Sequence, residues 1–417
     1  MNKKSILIFA HYYYPDIAST GQILKDQAEG MLEDFDVTVI CVVPSYEGIV
    51  SPEYKTQKYY FEKINGVKII RVQVPEFNKE NSISRIFNIL TYFFRSLKAS
   101  KKTGKQDYIF TISQPPILGG LLGVFVKWRK QAKLIYCIQD FNPEQIMAIG
   151  YFNNKLILKI AMVIDKFSCK NSNLIITVGR DMVSNLKNRF KGKNVPKHIM
   201  INNWIDESKI YPLNPNDEKV IAFRKKYGLQ NKFVIMYSGN IGLYYDLENI
   251  IKVIGKFKES QTADGKEVIF AFVGSGSMLS KLMEYKVKNS LNNVIFIPYQ
   301  DKKDLIYSLN AGDVHWCVNS KGIKGVSCPS KVYGIMAVAK PILGVLEEDT
   351  EVRNLIEKCG CGKCCEPGEY DQIEELVKWY IENSTNLEMG MKGRIYLEKN
   401  LAKDISIKKY CEEIKNL

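Results

Sequence analysis

The sequence predicts an α/β protein made of two successive parallel-sheet domains. Its 417 residues exceed one core of ordinary size, and its 46% apolar and 25% charged content excludes a disordered or fibrous chain. Short β-rich runs alternate with longer helical patterns, which favours βαβ units. A polar segment at 202–217 interrupts the alternation. We therefore expect a first domain over 1–205, a second over 206–400, and a last helix over 401–417 that packs back on the first domain.

The predicted strands are short apolar runs that end at polar residues or glycine. A helix is expected at 21–33, between the first two strands. In the first domain, strands are expected at 5–10, 37–43, 67–74, 108–112, 134–138 and 174–178. In the second domain, strands are expected at 233–238, 268–273, 294–297, 314–318 and 341–345.

Basic residues are concentrated in one part of the chain. The protein has 59 Lys and Arg against 45 Asp and Glu, a net charge of +14, and residues 51–200 hold 26 of the bases but only 9 of the acids. This region is expected to meet something acidic, such as membrane phosphates, a phosphorylated substrate or nucleic acid.

No segment of the sequence indicates secretion or membrane insertion. The first apolar run is short, and no stretch reaches 18 uncharged apolar residues. Most of the ten cysteines are scattered in apolar settings, as expected of free thiols in a reducing compartment. The expected location is the cytoplasm, at most peripheral to a membrane.

Two glycine-rich turns follow predicted strands of the second domain. They are Gly239-Asn240-Ile241-Gly242 and Gly274-Ser275-Gly276. Glycine at a strand-to-helix turn lets backbone N–H groups approach an anion closely, and such loops lie where ligands bind in an open parallel sheet. Either turn alone is also compatible with an ordinary tight turn, but the pair favours a nucleotide or phosphate site.

A third segment, Pro329-Ser330-Lys331, precedes an apolar helix. Ser330 is placed to donate to a phosphate oxygen. Lys331 puts a cation beside the positive end of the helix, which is locally unfavourable. A bound diphosphate explains that placement, and the alternative is an exposed lysine.

These segments resemble family 4 glycosyltransferases, and the resemblance covers nearly the whole chain. It is strongest to the branch that builds bacterial surface polysaccharides, including amino-sugar transferases of the WbuB type. The motifs are Ser-Gly-Asn-Ile-Gly at 238–242, Phe-Val-Gly-Ser-Gly at 272–276, the Pro-Ser-Lys segment at 329–341, Glu351 and 360–368, together with Tyr14-Pro15-Asp16, Gly21, the segment 139–144 that ends at Glu144, and 203–206.

The resemblance implies a GT-B fold, in which two Rossmann-like domains face each other across a cleft. It also implies a metal-independent transfer that commonly retains the anomeric configuration and uses no cofactor. The nucleotide-sugar would bind the second domain and the acceptor the first. The implied donor-site residues are Gly239, Asn240 and Gly242 at the diphosphate, Ser330 and Lys331 at the diphosphate or sugar, Glu351 near the ribose or sugar, and Tyr299 near the base. Gly274 is a further donor-binding residue. Gly21, Asp140 and Glu144 would lie on the acceptor side.

The sequence also departs from the family pattern. Asn240 and Tyr245 stand where many members have Arg and Lys, while Val326 and Gly334 stand where many have glutamates. The glycine of the family's Ala-x-Gly-x-Pro segment is Ala339 here. Lys331 is therefore the leading candidate to neutralise the departing diphosphate.

Two titratable residues follow strands of the first domain. Asp140 ends the strand at 134–138 and is expected to bind an acceptor hydroxyl or to act as a base, the alternative being a cap of the next turn. His11 ends the first strand, beside an aromatic run, and is a weaker catalytic candidate.

A basic amphipathic helix is predicted at 83–102. Its apolar residues recur at helical spacing, with Arg and Lys at its flanks, which suits an anionic membrane surface. A second basic region at 155–197 lies in the same domain. The alternative is a core helix with a solvated basic edge.

The cysteine-rich segment 359–365 is similar to half of a zinc site but lacks a second half, so no metal is expected.

The sequence thus predicts a cytoplasmic glycosyltransferase, peripheral at the inner face of the cell membrane. It would move a sugar, for example an N-acetylated amino sugar, from a UDP-linked donor to a lipid-linked saccharide. Two rival interpretations remain: a nucleotide-sugar epimerase of similar fold, and a nucleic-acid-binding protein that uses the basic region. Against the second, the basic region shows no known nucleic-acid motif, so no nucleic-acid partner is expected.

Overall fold

The computed structural model describes residues 3–16, 19–78, 81–148, 150, 154–385 and 388–417. Its contacts divide the chain into two compact units. The first unit contains residues 1–202 and 404–417, and the second contains residues 203–403.

The first unit is built on an eight-stranded sheet with the order β3-β4-β2-β1-β5-β6-β7-β8. Every neighbouring pair is parallel except β3 and β4. The strands are β1 (Lys4–Phe9), β2 (Phe35–Val42), β3 (Tyr59–Ile64), β4 (Val67–Val72), β5 (Tyr108–Ile112), β6 (Lys133–Ile138), β7 (Leu174–Thr177) and β8 (His198–Met200). Its helices before the second unit are α1 (Ser19–Gly30), α2 (Ser82–Ala99), α3 (Leu118–Lys130), α4 (Glu144–Ala148), α5 (Lys155–Lys170) and α6 (Arg180–Arg189).

The second unit is built on a six-stranded sheet with the order β11-β10-β9-β12-β13-β14, and all its pairs are parallel. The strands are β9 (Phe233–Ser238), β10 (Val268–Val273), β11 (Val294–Ile297), β12 (Val314–Val318), β13 (Ile342–Val345) and β14 (Gly362–Cys365). The helices are α7 (Glu218–Lys226), α8 (Leu247–Ile254), α9 (Leu279–Lys288), α10 (Leu305–Ala311), α11 (Lys331–Ala337), α12 (Glu351–Cys359), α13 (Tyr370–Glu382) and α14 (Met389–Asn400).

The last helix, α15 (Lys403–Lys415), belongs to the first unit from Asp404 onward. The hydroxyl of Tyr410 lies 3.5 Å from Sγ of Cys137 at the end of β6, and Lys415 pairs with Asp34. The C-terminal helix is thus joined to the rest of the first unit by a buried polar contact and a surface ion pair.

The α/β architecture predicted from the sequence is confirmed, with each predicted strand within two residues of its expected bounds. Three strands, β3, β8 and β14, were not predicted. β3 is antiparallel to β4, so the expectation of a wholly parallel first sheet is wrong at this edge. None of its residues is fully buried, because an edge strand buries only part of its surface, so β3 lacks the continuous apolar run of a central strand.

The order of the strands reverses at one point in each sheet. In the first sheet the reversal lies between β1 and β5, and in the second it lies between β9 and β12. Such a point is called a topological switch point. Loops at the carboxyl ends of the strands open a crevice there, and ligands of open α/β sheets bind in it. The fold therefore places two candidate sites, one per unit.

None of the helices in the described ranges is long and apolar enough to cross a membrane.

Candidate functional site

The two glycine turns of the second unit lie against each other. A β-carbon on Gly274 would lie 2.0 Å from the carbonyl oxygen of Gly239, and one on Gly276 would lie 2.3 Å from that of Ile241. The N–H of Gly239 donates to Val273 (2.9 Å) and that of Ile241 donates to Ser275 (2.9 Å). Because backbone fills the space that a side chain would need, these positions require glycine.

The side chain of Lys331 crosses the first of these turns. Lys331 is the first residue of α11, and a β-carbon on Gly239 would lie only 2.6 Å from its Cε, which is closer than such carbons approach. Its Nζ lies 3.6 Å from the ring centroid of Tyr245 and 5.1 Å from that of Tyr237. Two aromatic faces thus hold the ammonium group above the glycine turn by cation–π attraction.

Polar contacts around the turn fix its conformation. The hydroxyl of Tyr237 donates to the carbonyl of Asn240 at 2.5 Å, and a β-carbon on Gly242 would lie 2.8 Å from Nδ2 of Asn240. From the loop after β12, the N–H of Ser320 donates to the carbonyl of Tyr244 at 2.8 Å. The loops after β9 and β12, which lie on either side of the switch point, are therefore hydrogen-bonded to each other.

The other predicted donor-site residues lie at the same edge of the sheet or next to it. Ser330 is exposed directly before α11, and its hydroxyl does not cap that helix. Glu351 begins α12 and is buried, while Tyr299 follows β11 and is about half exposed. Their contacts with a donor stay predictions.

The first unit has a cavity of about 260 Å³ at its own switch point. The loops after β1, β5 and β6 contribute polar groups, α2 closes one wall, and three aromatic side chains line it. The lining includes His11, Asp140, Ser113, Gln114, Asn142 and Gln145, with Thr20, Arg85, Asn88 and the rings of Tyr12, Tyr46 and Phe77.

His11 lines this cavity with an uncharged imidazole ring. It is 6% exposed, its ring lies 4.3 Å from Tyr12 and 4.8 Å from Tyr92, and burial lowers its pKa to about 3. Asn88 hydrogen-bonds to the ring, while Nε2 has no partner among the described residues. A neutral imidazole with one unused nitrogen is suited to hydrogen-bond a ligand, and at neutral pH it does not act as a charged acid.

Asp140 lines the same cavity, and its role toward an acceptor stays a prediction. Its backbone N–H, like that of Gln139, donates to the hydroxyl of Ser113, at 3.2 Å and 3.0 Å respectively. The ends of β5 and β6 are thereby held together beside His11.

The two remaining acceptor-side residues differ in their surroundings. Gly21 lies in α1, where a β-carbon would come within 3.0 Å of the carbonyl oxygen of Tyr12, so its small size lets α1 approach that loop. Glu144 pairs with Arg189, which also pairs with the buried Asp165. Its carboxylate is occupied by this network, and the neighbouring Gln145 lines the cavity instead.

Several lining residues were missed from the sequence. Asn88 is a buried polar residue within the amphipathic pattern of α2 and donates to the carbonyl of Pro75 at 2.7 Å. Ser113 directly follows β5. A polar residue in an apolar helical stripe, and a serine at a strand end, are the signals that could have found them.

Among the described residues, no group of three or more His, Cys, Asp or Glu is arranged to hold a metal. The cysteines of segment 359–365 are free thiols, with 3.0 Å between the sulfurs of Cys359 and Cys361.

Comparison with known proteins assigns a class to this geometry. The model of the family "Glycosyl transferases group 1" matches residues 220–396, which include both glycine turns and Lys331. The chain is 24% identical to the probable glycosyltransferase WbjE of Pseudomonas aeruginosa, over 99% of this chain and 98% of that protein. It is also 24% identical to the putative colanic acid biosynthesis glycosyl transferase WcaI of Escherichia coli K12, over 98% of this chain and 99% of that protein.

The fold matches solved structures as well. The structure of HepE from Anabaena in complex with UDP-glucose superposes with a TM-score of 0.70 at 13% identity, covering 99% of this chain and all of that one. Two parallel-sheet units of this kind define a GT-B glycosyltransferase fold. Residues 220–396 thus match the group 1, or family 4, glycosyltransferases, the family that the motifs predicted. The narrower resemblance to WbuB-type transferases stays a prediction.

Proposed function

We propose that this glycosyltransferase moves a sugar from a UDP-linked donor to a lipid-linked saccharide during the assembly of a bacterial surface polysaccharide. An N-acetylated amino sugar is the first donor to test. The proposed reaction uses no metal or cofactor and retains the anomeric configuration, as the family resemblance implies. The enzyme would act at the inner face of the cell membrane.

The observation that carries this proposal is the position of Lys331 over the glycine turn. Backbone N–H groups and a fixed cation at a topological switch point are suited to a diphosphate. The relative HepE is crystallised with UDP and with UDP-glucose, which supports a UDP-linked donor here. The name of WcaI supports the polysaccharide context.

The cavity of the first unit is the proposed acceptor site. Its aromatic walls suit the faces of a sugar ring, and Asp140 with Nε2 of His11 suit its hydroxyls. Arg85, Asn88 and Ile89 of α2 line the cavity, whereas Ile86, Phe87 and Leu90 of the same helix are exposed. The cavity therefore lies about one helix diameter, ~10 Å, from an apolar surface. A phosphate-linked lipid acceptor fits this arrangement.

The proposed chemistry is a substitution at the anomeric carbon. The bond from that carbon to the diphosphate oxygen breaks, a bond to the acceptor oxygen forms, and the proton of the acceptor hydroxyl passes to the departing diphosphate. Asp140 binds that hydroxyl. Lys331 and the backbone N–H groups of the turn other than those of Gly239 and Ile241 stabilise the charge that develops on the leaving diphosphate. This contributes about 3–4 kcal/mol by analogy with oxyanion donors.

A transfer assay tests the proposal. Purified protein is incubated with labelled UDP-N-acetylglucosamine, or with other UDP-sugars, and with extracted lipid-linked saccharides. We expect label to enter the lipid fraction only when donor and acceptor are both present. Conversion of the free UDP-sugar without an acceptor would instead show an epimerase.

A further inference from the structure

Three helices of the first unit expose apolar side chains on neighbouring surfaces. α3 packs against both α2 and α5, so the three helices form one continuous face, called here the α2–α3–α5 face. Its exposed apolar residues are Ile83, Ile86, Phe87, Leu90 and Phe94 on α2, Phe125 and Trp128 on α3, and Leu156, Ile157, Ile160, Val163 and Phe167 on α5.

Aromatic rings connect the three helices. The ring of Phe93 lies 5.4 Å from that of Phe94 and 6.2 Å from that of Phe125. Trp128 then lies 6.0 Å from Phe125 and 5.9 Å from Phe167. All of these rings except Phe93 are at least 38% exposed, so the apolar area is contiguous rather than scattered. An apolar patch of this kind marks an interaction surface.

The charge on the α2–α3–α5 face has one sign. The only acidic residue in the three helices is Asp165, which is 2% exposed and paired with Arg189. The basic residues of the three helices are Arg85, Arg95 and Lys98, then Lys127, Arg129 and Lys130, and finally Lys155, Lys159, Lys166 and Lys170. The patch is therefore apolar with a basic surround.

We propose that the α2–α3–α5 face docks onto an anionic lipid bilayer. Its aromatic and aliphatic side chains enter the boundary between headgroups and acyl chains, while the lysines and arginines meet lipid phosphates. Trp128 and the phenylalanines are side chains that partition to this boundary. The proposal deepens the proposed function by naming the surface that brings the acceptor cavity to lipid, and its test needs no sugar substrate.

The chemistry of the face favours a bilayer over other occupants. A second copy of this chain would place like charges against each other, which is unfavourable at short distance. A nucleic acid would neutralise the bases but leave the aromatic side chains in water. An anionic bilayer satisfies both the basic and the apolar residues.

Vesicle flotation of the full-length protein tests the proposal. We expect the protein to float with vesicles of equal parts phosphatidylglycerol and phosphatidylcholine, and to float less with phosphatidylcholine alone or at high salt. The triple variant Phe87→Ser, Phe94→Ser, Trp128→Ser should lose at least roughly tenfold in vesicle-bound fraction. A variant of the second unit, Met283→Ser with Val287→Ser, removes two exposed apolar side chains of α9 and should float like the wild type.

A charge variant tests the proposal independently, in case the triple variant does not fold. Lys98, Lys155 and Lys159 are exposed, and their replacement by glutamine should weaken flotation while leaving the circular dichroism spectrum unchanged. UDP binding, measured in parallel, should persist in all variants, which separates loss of docking from loss of the donor site. The proposal is overturned if the wild type does not float with anionic vesicles, if the triple variant floats equally well, or if light scattering shows a dimer that only the triple variant disrupts.

Discussion

The side chain of Lys331 occupies the space that a side chain on Gly239 would need. Cε of the lysine lies 2.6 Å from the position of a β-carbon on Gly239, and the glycine has φ of +142°. The glycine thus serves two purposes, because it adopts a conformation rare for other residues and it lets the lysine cross the turn. Two residues 92 positions apart in the sequence are thereby brought into contact.

Removing the lysine tests its role in the reaction. Lys331→Ala should lower turnover by at least roughly tenfold, because the developing charge on the diphosphate loses its cation. The melting temperature should change little, since the side chain is only partly buried. Steady-state kinetics and thermal unfolding measure the two effects. Lys321→Ala, an exposed lysine of the loop after β12, is the control and should behave like the wild type. Normal turnover of Lys331→Ala would contradict the role.

Adding a methyl group to Gly239 tests the close contact itself. Gly239→Ala should destabilise the protein by about 1–3 kcal/mol through strained backbone and the clash with Lys331. In the Lys331→Ala background the same change should cost less, because Cε is gone. Urea unfolding of the four variants gives the coupling energy.

The control for this cycle is Gly228→Ala, which has φ of +67° but nothing within 4 Å of the added carbon. Gly228→Ala should lower the free energy of unfolding through backbone strain alone, by the same amount with and without Lys331→Ala. An equal cost of Gly239→Ala in both backgrounds would mean that the two side chains do not interact.

The buried histidine predicts a pH dependence of stability. The pKa of His11 falls from 6.5 to about 3 on burial, so between these values the unfolded chain binds a proton that the folded chain does not. His11 therefore lowers the free energy of unfolding as the pH falls below about 6.5. Well below that pH, the decrease approaches about 1.4 kcal/mol for each pH unit. His11→Asn should flatten the decline in unfolding free energy between pH 7 and pH 5, measured by urea denaturation.

Ala339 is a residue whose replacement should stabilise the protein. It follows α11 with φ of +53°, a left-handed conformation that costs L-residues about 1–2 kcal/mol. Ala339→Gly should relieve most of that cost, and we expect a gain of about 1 kcal/mol in unfolding free energy. Ala337→Gly, at the last residue of α11, should instead lower the unfolding free energy by up to about 1 kcal/mol. Destabilisation by both changes would show that the turn tolerates alanine without strain.

Much of the fold could be predicted because buried parallel strands are continuous apolar runs. β10 and β12 are buried at every position and were located to the residue. The edge strand β3 alternates between half-buried and exposed residues, and β14 reads Gly-Lys-Cys-Cys, so neither carries that signal. Edge strands take their structure from a neighbour rather than from their own composition.

The site was predictable only in its backbone-determined part. Glycines after strands indicate a loop site whatever surrounds them, and Gly239 and Gly274 were predicted as site residues on that basis. The pairing of Glu144 with Arg189 and the packing of His11 between Tyr12 and Tyr92 depend on distant segments. Such contacts cannot be predicted from the local sequence.

Calorimetric titration with UDP tests the central claim most directly, because that claim is that the glycine turns and Lys331 of the second unit bind a diphosphate. We predict that the wild type binds UDP, that uridine without its phosphates binds at least roughly a hundredfold more weakly, and that Lys331→Ala loses at least roughly tenfold in affinity for UDP. Equal affinity of the wild type and Lys331→Ala for UDP, or equal affinity for UDP and uridine, would contradict the account.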